Sequence, residues 1–370
     1  MKNGAQGLRA VFAGGGTGGH LYPILAVADS IKEAGGLPVF IGTERGVENE
    51  AVPARGYKLY HIRARGLSGG VFGKILAISE LFIGFAQSFF ILLKEKPHIV
   101  IGSGGYVCAP AVAAAKLLHI PSICLEQNAF AGKAVKFLSR LADRVCISLP
   151  GSEKGLPQEK VVLTGNPIRK AITAANREEA REKLNIDPSR KCLLITGASQ
   201  GAQSINNAVL AALPLWRQEN WTVIHLTGPK HIDEVSTRSH DLTDGFPIDY
   251  RPLGYMEDIA YAYAAADLCV CRAGATTLAE VTAVGAASVL VPYPYAAENH
   301  QEANAETLVK AGAAAMVKDS AAEGELGNLV SELINNDERL QSMRASAKAM
   351  GKGDAAALVV EEALKLLKRV

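Results

Sequence analysis

Residues 14–20 read Gly-Gly-Gly-Thr-Gly-Gly-His, directly between an apolar run, Arg9–Ala13, and a segment of helical period that begins near Leu21. Glycine is needed where a strand turns sharply into a helix and where another group must approach the backbone. The helix start then offers N–H groups without partners and the positive end of its dipole, which suits an anion. Gly14, Gly16 and Gly19 also satisfy GxGxxG, with Glu44 beyond the next apolar run, so a nucleotide-binding oxidoreductase is one reading. A tight turn with no ligand is the plainer one. Yet five glycines in six residues, followed by His20, exceed what a turn needs, and a dehydrogenase has no use for an imidazole at that point.

Such turns recur. Gly102-Ser103-Gly104-Gly105-Tyr106 follows Ile99–Ile101, Gly197-Ala198-Ser199-Gln200-Gly201-Ala202 follows Cys192–Thr196, and Arg272-Ala273-Gly274-Ala275-Thr276-Thr277 follows Leu268–Cys271. Around them, short apolar runs alternate with longer helical segments, the pattern of an α/β parallel sheet. The other strand candidates of the first half are Pro38–Ile41, Lys58–Ile62, Ser122–Glu126, Arg144–Ser148 and Val161–Leu163. Those of the second are Thr222–Leu226, Asp249–Pro252, Ser288–Val291 and Ala314–Val317. Runs this apolar on both faces belong to sheets covered by helices on both sides. In open α/β sheets, ligands sit at the carboxyl ends of strands, so four such turns, two per half, imply two substrates, one per domain.

A chain of 370 residues exceeds one ordinary core, and two domains are expected. The seam falls at Gly165-Asn166-Pro167, giving domains over 1–165 and 166–350, with 351–370 a C-terminal helix that packs back on the first domain. The net charge of +2 gives no general argument for nucleic acid or an acidic partner. The six cysteines are scattered through apolar runs without zinc-like spacing, which reads as buried thiols in a reducing compartment. The N-terminus shows no apolar stretch of signal-peptide length, which points to the cytoplasm.

In the second half, Ser199 and the amides of Gln200 and Gly201 can donate to one phosphate. The helix start at Ala275–Thr277 can hold another. Glu280, one turn further on, can accept from two vicinal ribose hydroxyls. The plain alternatives are an N-cap for Thr276 and a solvated surface position for Glu280.

The motifs GGGTGGH, GSGGYV (102–107), EQN (126–128), GNPIR (165–169), GASQGA (197–202), CRAGATTLAE (271–280) and NHQEANA (299–305) stand in one order along the chain. In that order they resemble the MurG family of N-acetylglucosaminyltransferases of peptidoglycan synthesis. The resemblance implies a GT-B fold, in which two Rossmann-like domains present parallel sheets across a cleft, with neither metal nor other cofactor. The reaction it implies is inverting transfer of GlcNAc from UDP-GlcNAc to the muramyl 4-hydroxyl of lipid I, forming lipid II and UDP. Thr17, Gly18 and Gly19 match the loop for the acceptor diphosphate and the donor, and Asn128 and Arg169 match donor-site positions. Ser199 matches the diphosphate-binding serine, and Met256 stands where uracil is recognised. Ala275, Thr276, Thr277, Leu278, Ala279 and Glu280 match the diphosphate and ribose segment, and Gln301 a contact to the donor sugar. A general base must lie near the attacking hydroxyl. His20 is preferred, with Glu126 the competitor and a purely loop-bonding role for His20 the plain alternative.

The segment Ile75–Leu93 is nearly long enough to span a bilayer, but Glu80, Gln87 and Ser88 and the sheet pattern on both sides argue against spanning. Leu81, Phe82, Phe85, Phe89 and Phe90 exceed one sheet-packing stripe. Lys74, Lys94 and Lys96 flank it, with Arg63 and Arg65 nearby, which suits an anionic membrane surface. The expectation is a peripheral enzyme on the cytoplasmic face of the inner membrane, with other cell-wall synthesis proteins as partners. A GT-B transferase with another acceptor, an oxidoreductase and a non-catalytic sugar-nucleotide sensor are the competing readings.

Overall fold

A computed structural model of the chain describes residues 5–66 and 70–368. The chain divides into two compact units, Met1–Ile168 with Asp354–Val370, and Arg169–Gly353. The first four residues, part of the N-terminal stretch read above, lie outside the described residues.

In the first unit, seven strands form one parallel sheet: β1 (Arg9–Ala13), β2 (Leu37–Gly42), β3 (Lys58–His61), β4 (Ile99–Gly102), β5 (Ser122–Glu126), β6 (Arg144–Ile147) and β7 (Val161–Leu163). Their order is β3-β2-β1-β4-β5-β6-β7. Phe12 and Phe40 stack on one face, where Leu21, Ile24 and Leu25 of the helix Gly18–Glu33 also pack. The helix Ala355–Leu367 adds Val359 and Ala363 to the same cluster. The opposite face carries Val11, Ile41 and Val100 under the helix Gly105–Leu117. Strands this buried read as continuous apolar runs because neither face meets water.

The second unit repeats the design with β8 (Lys191–Thr196), β9 (Trp221–Leu226), β10 (Asp249–Leu253), β11 (Leu268–Cys271), β12 (Ser288–Leu290) and β13 (Ala314–Met316), ordered β10-β9-β8-β11-β12-β13 and parallel throughout. All thirteen strands read from the sequence are present, with ends displaced by at most one residue. In each sheet the strand order reverses between two adjacent strands, β1 and β4 in one, β8 and β11 in the other. The four glycine-bearing turns follow those four strands. They therefore occupy the topological switch points, where open α/β sheets take their ligands.

The apolar segment is a helix, Val71–Glu95, whose stretch Gly73–Glu95 is long and apolar enough to cross a membrane by length and composition. It packs on the helix Gly105–Leu117, and Gln87 accepts the Arg63 N–H at 2.7 Å. Its aromatic residues divide between two faces: Phe85 and Phe89 pack on the core, as 3.6-residue periodicity places them beside Ser88 and Leu92. The outward face instead carries Ile75, Leu76, Ile78, Phe82, Ile83, Phe90 and Leu93. All six cysteines are free and buried.

Candidate active site

The turn after β1 is shaped by a carboxylate that sequence spacing did not single out. Glu48, fully buried at the start of the helix Glu48–Ala54, accepts the Gly16 N–H at 2.7 Å and the Thr43 N–H and hydroxyl at 3.0 and 2.9 Å. Glu44, which the GxGxxG spacing suggested, is exposed. Beyond Gly16, Thr17 and Gly19 are exposed at the start of the helix Gly18–Glu33. The amides of Gly18 and Gly19 have no acceptor among the described residues.

His20 sits on the turn after β4. Its Nδ1 lies 2.8 Å from the Ser103 carbonyl oxygen, which also accepts from Gln127 Nε2 at 3.0 Å. Gly104 and Gly105 supply the positive φ this turn requires, and a Cβ on either would meet the His20 ring only at van der Waals distance. His20 thus does bond the loop, through Nδ1, the one ring nitrogen with a partner among the described residues.

Glu126 is buried at the end of β5 with both oxygens engaged. Oε1 accepts from the Asn128 N–H at 2.9 Å and its side-chain amide at 3.3 Å, and Oε2 from the Gly132 N–H at 2.9 Å. Burial pushes its carboxyl above the usual range, and these donors oppose that shift. Asn128 is half-buried, and its carbonyl accepts from the Ser152 hydroxyl.

In the second unit, Ser199 and Gln200 are exposed at the tip of the turn after β8. The Gly201 N–H is not available to a phosphate as expected, because it donates to the Ala198 carbonyl at 3.0 Å and closes the turn. The helix Ala275–Val284 begins at the turn after β11 without a side-chain cap. Thr276 does not cap it; its hydroxyl is buried with no partner among the described residues. Ala275, Thr277 and Ala279 are half-buried, and Leu278 points into the core.

Glu280 is not a solvated surface group. It is buried, and its Oε1 lies 3.4 Å from Arg169 Nη2. Burial raises its pKa, while Arg169 and the neighbouring Tyr263 hydroxyl pull it back. Met256 is half-buried beyond β10, and Gln301, at the start of the helix His300–Lys310, accepts the Tyr293 N–H at 3.0 Å. Sequence reasoning missed Glu48, Gln127 and Arg272. Arg272 donates to Ser204, Asp319 and the carbonyls of Val291 and Pro292, tying together the segments around the turns after β8 and β11.

Comparison with known proteins identifies the family. Residues 10–147 match the glycosyltransferase family 28 N-terminal domain and residues 192–359 its C-terminal domain. The chain is 41% identical over 359 residues to the UDP-N-acetylglucosamine–N-acetylmuramyl-(pentapeptide) pyrophosphoryl-undecaprenol N-acetylglucosamine transferase of Citrifermentans bemidjiense, covering 95% of this chain and 98% of that one. It is 40% identical over 356 residues to the enzyme of the same name from Halothermothrix orenii, covering 93% and 95% respectively. The crystal structure of Acinetobacter baumannii MurG superposes with a TM-score of 0.79 at 29% identity, over 98% of this chain and 100% of that one. The chain therefore belongs to glycosyltransferase family 28, has the GT-B fold, and is a member of the MurG family of N-acetylglucosaminyltransferases.

Proposed function

We propose that the enzyme transfers GlcNAc from UDP-GlcNAc to the muramyl 4-hydroxyl of undecaprenyl-pyrophosphoryl-MurNAc-pentapeptide (lipid I), with inversion, forming lipid II and UDP. Its relatives carry that acceptor and sugar in their names. The observation that carries the chemistry is at His20. A carbonyl oxygen only accepts, so the contact with Ser103 requires the proton on Nδ1 and leaves the Nε2 lone pair open in the neutral ring. Nε2 then takes the proton of the attacking hydroxyl as its oxygen bonds to the anomeric carbon. The bond from that carbon to the diphosphate breaks, and UDP leaves with the electron pair.

Glu126 serves this reaction by shaping the loop that carries Asn128, since its oxygens already accept three N–H groups. Thr17, Gly18 and Gly19 take the acceptor diphosphate. On the donor side, the helix start at Ala275–Thr277, with the unpartnered Thr276 hydroxyl, and Ser199 receive the leaving diphosphate. Glu280, held by Arg169, accepts from the ribose hydroxyls, Met256 lies against uracil, and Asn128 and Gln301 serve the donor. Labelled transfer from UDP-GlcNAc to lipid I tests the base. His20→Ala should lower turnover by about 10²–10⁴. Activity within about threefold of the parent enzyme would remove His20 from that role.

The enzyme works as a peripheral protein on the cytoplasmic face of the inner membrane, with the outward face of Val71–Glu95 against anionic lipid. Phe82 and Phe90, 72% and 68% exposed, support this, as do Lys74, Lys94 and Lys96. Co-sedimentation with phosphatidylglycerol liposomes that weakens with salt is the expected result. Free sedimentation from such liposomes at low salt would end the idea.

A further inference from the structure

We propose that Glu48 is a positioning residue for the acceptor: an internal carboxylate that fills the first half of the 14–19 turn and leaves ligand phosphate the open end of the turn, Thr17 to Gly19. This rests on the reading that the turn serves the acceptor diphosphate. Three donors converge on the Glu48 carboxylate, and one of them, the Gly16 N–H, belongs to the turn itself. No lysine or arginine pairs with it among the described residues. Its charge is carried by the donors that define the loop, an arrangement that binds short and strong.

The glycines divide accordingly. A Cβ on Gly15, Gly42 or Gly46 would lie 2.4, 2.8 or 2.2 Å from Glu48 side-chain atoms, so these three glycines make room for the carboxylate. A Cβ on Gly14 would lie 2.0 Å from Ser103 Oγ, so Gly14 makes room for the neighbouring turn. A Cβ on Gly19 would meet nothing closer than Thr17 Oγ1 at 4.0 Å, so its open surface is left for a ligand. Gly14 and Gly15 are spent on internal packing, whereas Thr17 and Gly19 face outward and Gly18 lies against the Tyr22 ring. In a dinucleotide fold the pyrophosphate approaches the first glycines of such a turn; here a carboxylate has already engaged the Gly16 amide. A phosphate brought to the same place would meet like charge in a partly buried setting.

Glu48→Gln tests this, because glutamine offers one acceptor oxygen and turns an NH₂ toward the second donor. The KM for a short-chain lipid I analogue should rise about tenfold or more, the size expected for losing a charge-assisted bond, while UDP affinity measured by calorimetry stays within about twofold. Retained UDP affinity also shows that the protein is folded. Thr43→Val, which removes only the hydroxyl donor, should move the acceptor KM the same way by a smaller factor, and serves if the first variant is insoluble. An acceptor KM within about twofold of the parent, or equal losses for acceptor and UDP, would overturn the positioning role and leave the proposed reaction standing. Loss confined to UDP would instead show that the turn does not serve the acceptor, and would overturn that part of the functional reading with it.

Discussion

The first turns of the two units, 14–20 after β1 and 197–202 after β8, occupy equivalent places in their sheets and reach the same strand-to-helix geometry by different means. The first is held by a side chain, the Glu48 carboxylate, on the Gly16 amide. The second is held by neutral groups, with the Ala198 N–H donating to the Thr196 hydroxyl at 3.2 Å. Its Gly201 N–H closes on Ala198, and Gly201 lies flush against the Thr227–Gly228 peptide. That neighbouring loop is fixed by Asn206, whose side-chain amide donates to the Thr227 carbonyl at 3.0 Å and whose oxygen accepts from His225 Nε2. His225 stays neutral, its pKa pushed down to about 3 by burial, so the support carries no charge. One turn thus depends on an ionisable group and the other on close backbone contact. Glycine spacing alone cannot tell these apart, which is why GxGxxG is a poor guide to the ligand.

The sharpest way to break the comparison is a pair of single-methyl insertions. In Gly201→Ala the new Cβ would lie 1.9 Å from the Thr227 carbonyl oxygen, on a residue at φ +76°. Overpacking and left-handed strain together should cost about 2–5 kcal/mol, read as a lower denaturant midpoint of unfolding. Gly19→Ala meets only open space and adds a better helix former, so its stability should stay within about 0.5 kcal/mol of the parent. Equal losses from the two would mean that the first turn is also locked by backbone packing, and the carboxylate account would fail.

The sheets were legible because period-2 burial on both faces leaves continuous apolar runs, and the turns because glycine has few other reasons to cluster there. Glu48 was not. A buried carboxylate at the start of a short helix, in Val47-Glu48-Asn49-Glu50, looks like ordinary acid enrichment of a first helical turn, and only the folded contacts distinguish it from Glu44 and Glu50. The Gly201–Gly228 contact was hidden for a related reason: it joins turns from different strands, and no local spacing encodes it. Composition showed that Leu81, Phe82, Phe85, Phe89 and Phe90 exceed one packing stripe, while the rotation of the helix on the core decides that Phe85 and Phe89 are the covered ones.

A last contrast is between buried carboxylates. Glu48 and Glu126 have both oxygens engaged by N–H or O–H donors, whereas Glu280 has Arg169 at 3.4 Å and the Tyr263 hydroxyl beside it, leaving lone pairs for a ligand. Burial raises the Glu280 pKa above its unfolded value. Below the ordinary carboxylate range both states are protonated, and Glu280 has no effect on stability. As pH rises past that range the unfolded chain releases its proton first, so ionised Glu280 weighs against the fold at neutral pH. Glu280→Gln should therefore leave the unfolding midpoint unchanged or raise it, while weakening UDP binding about tenfold or more through loss of the charged acceptor. In the parent enzyme UDP affinity should fall on acidification more steeply than in Glu280→Gln, where only the titration of the UDP terminal phosphate remains. A marked drop in the stability of that variant, or the same pH dependence of UDP affinity in both proteins, would place Glu280 with Glu48 and Glu126 as a structural carboxylate.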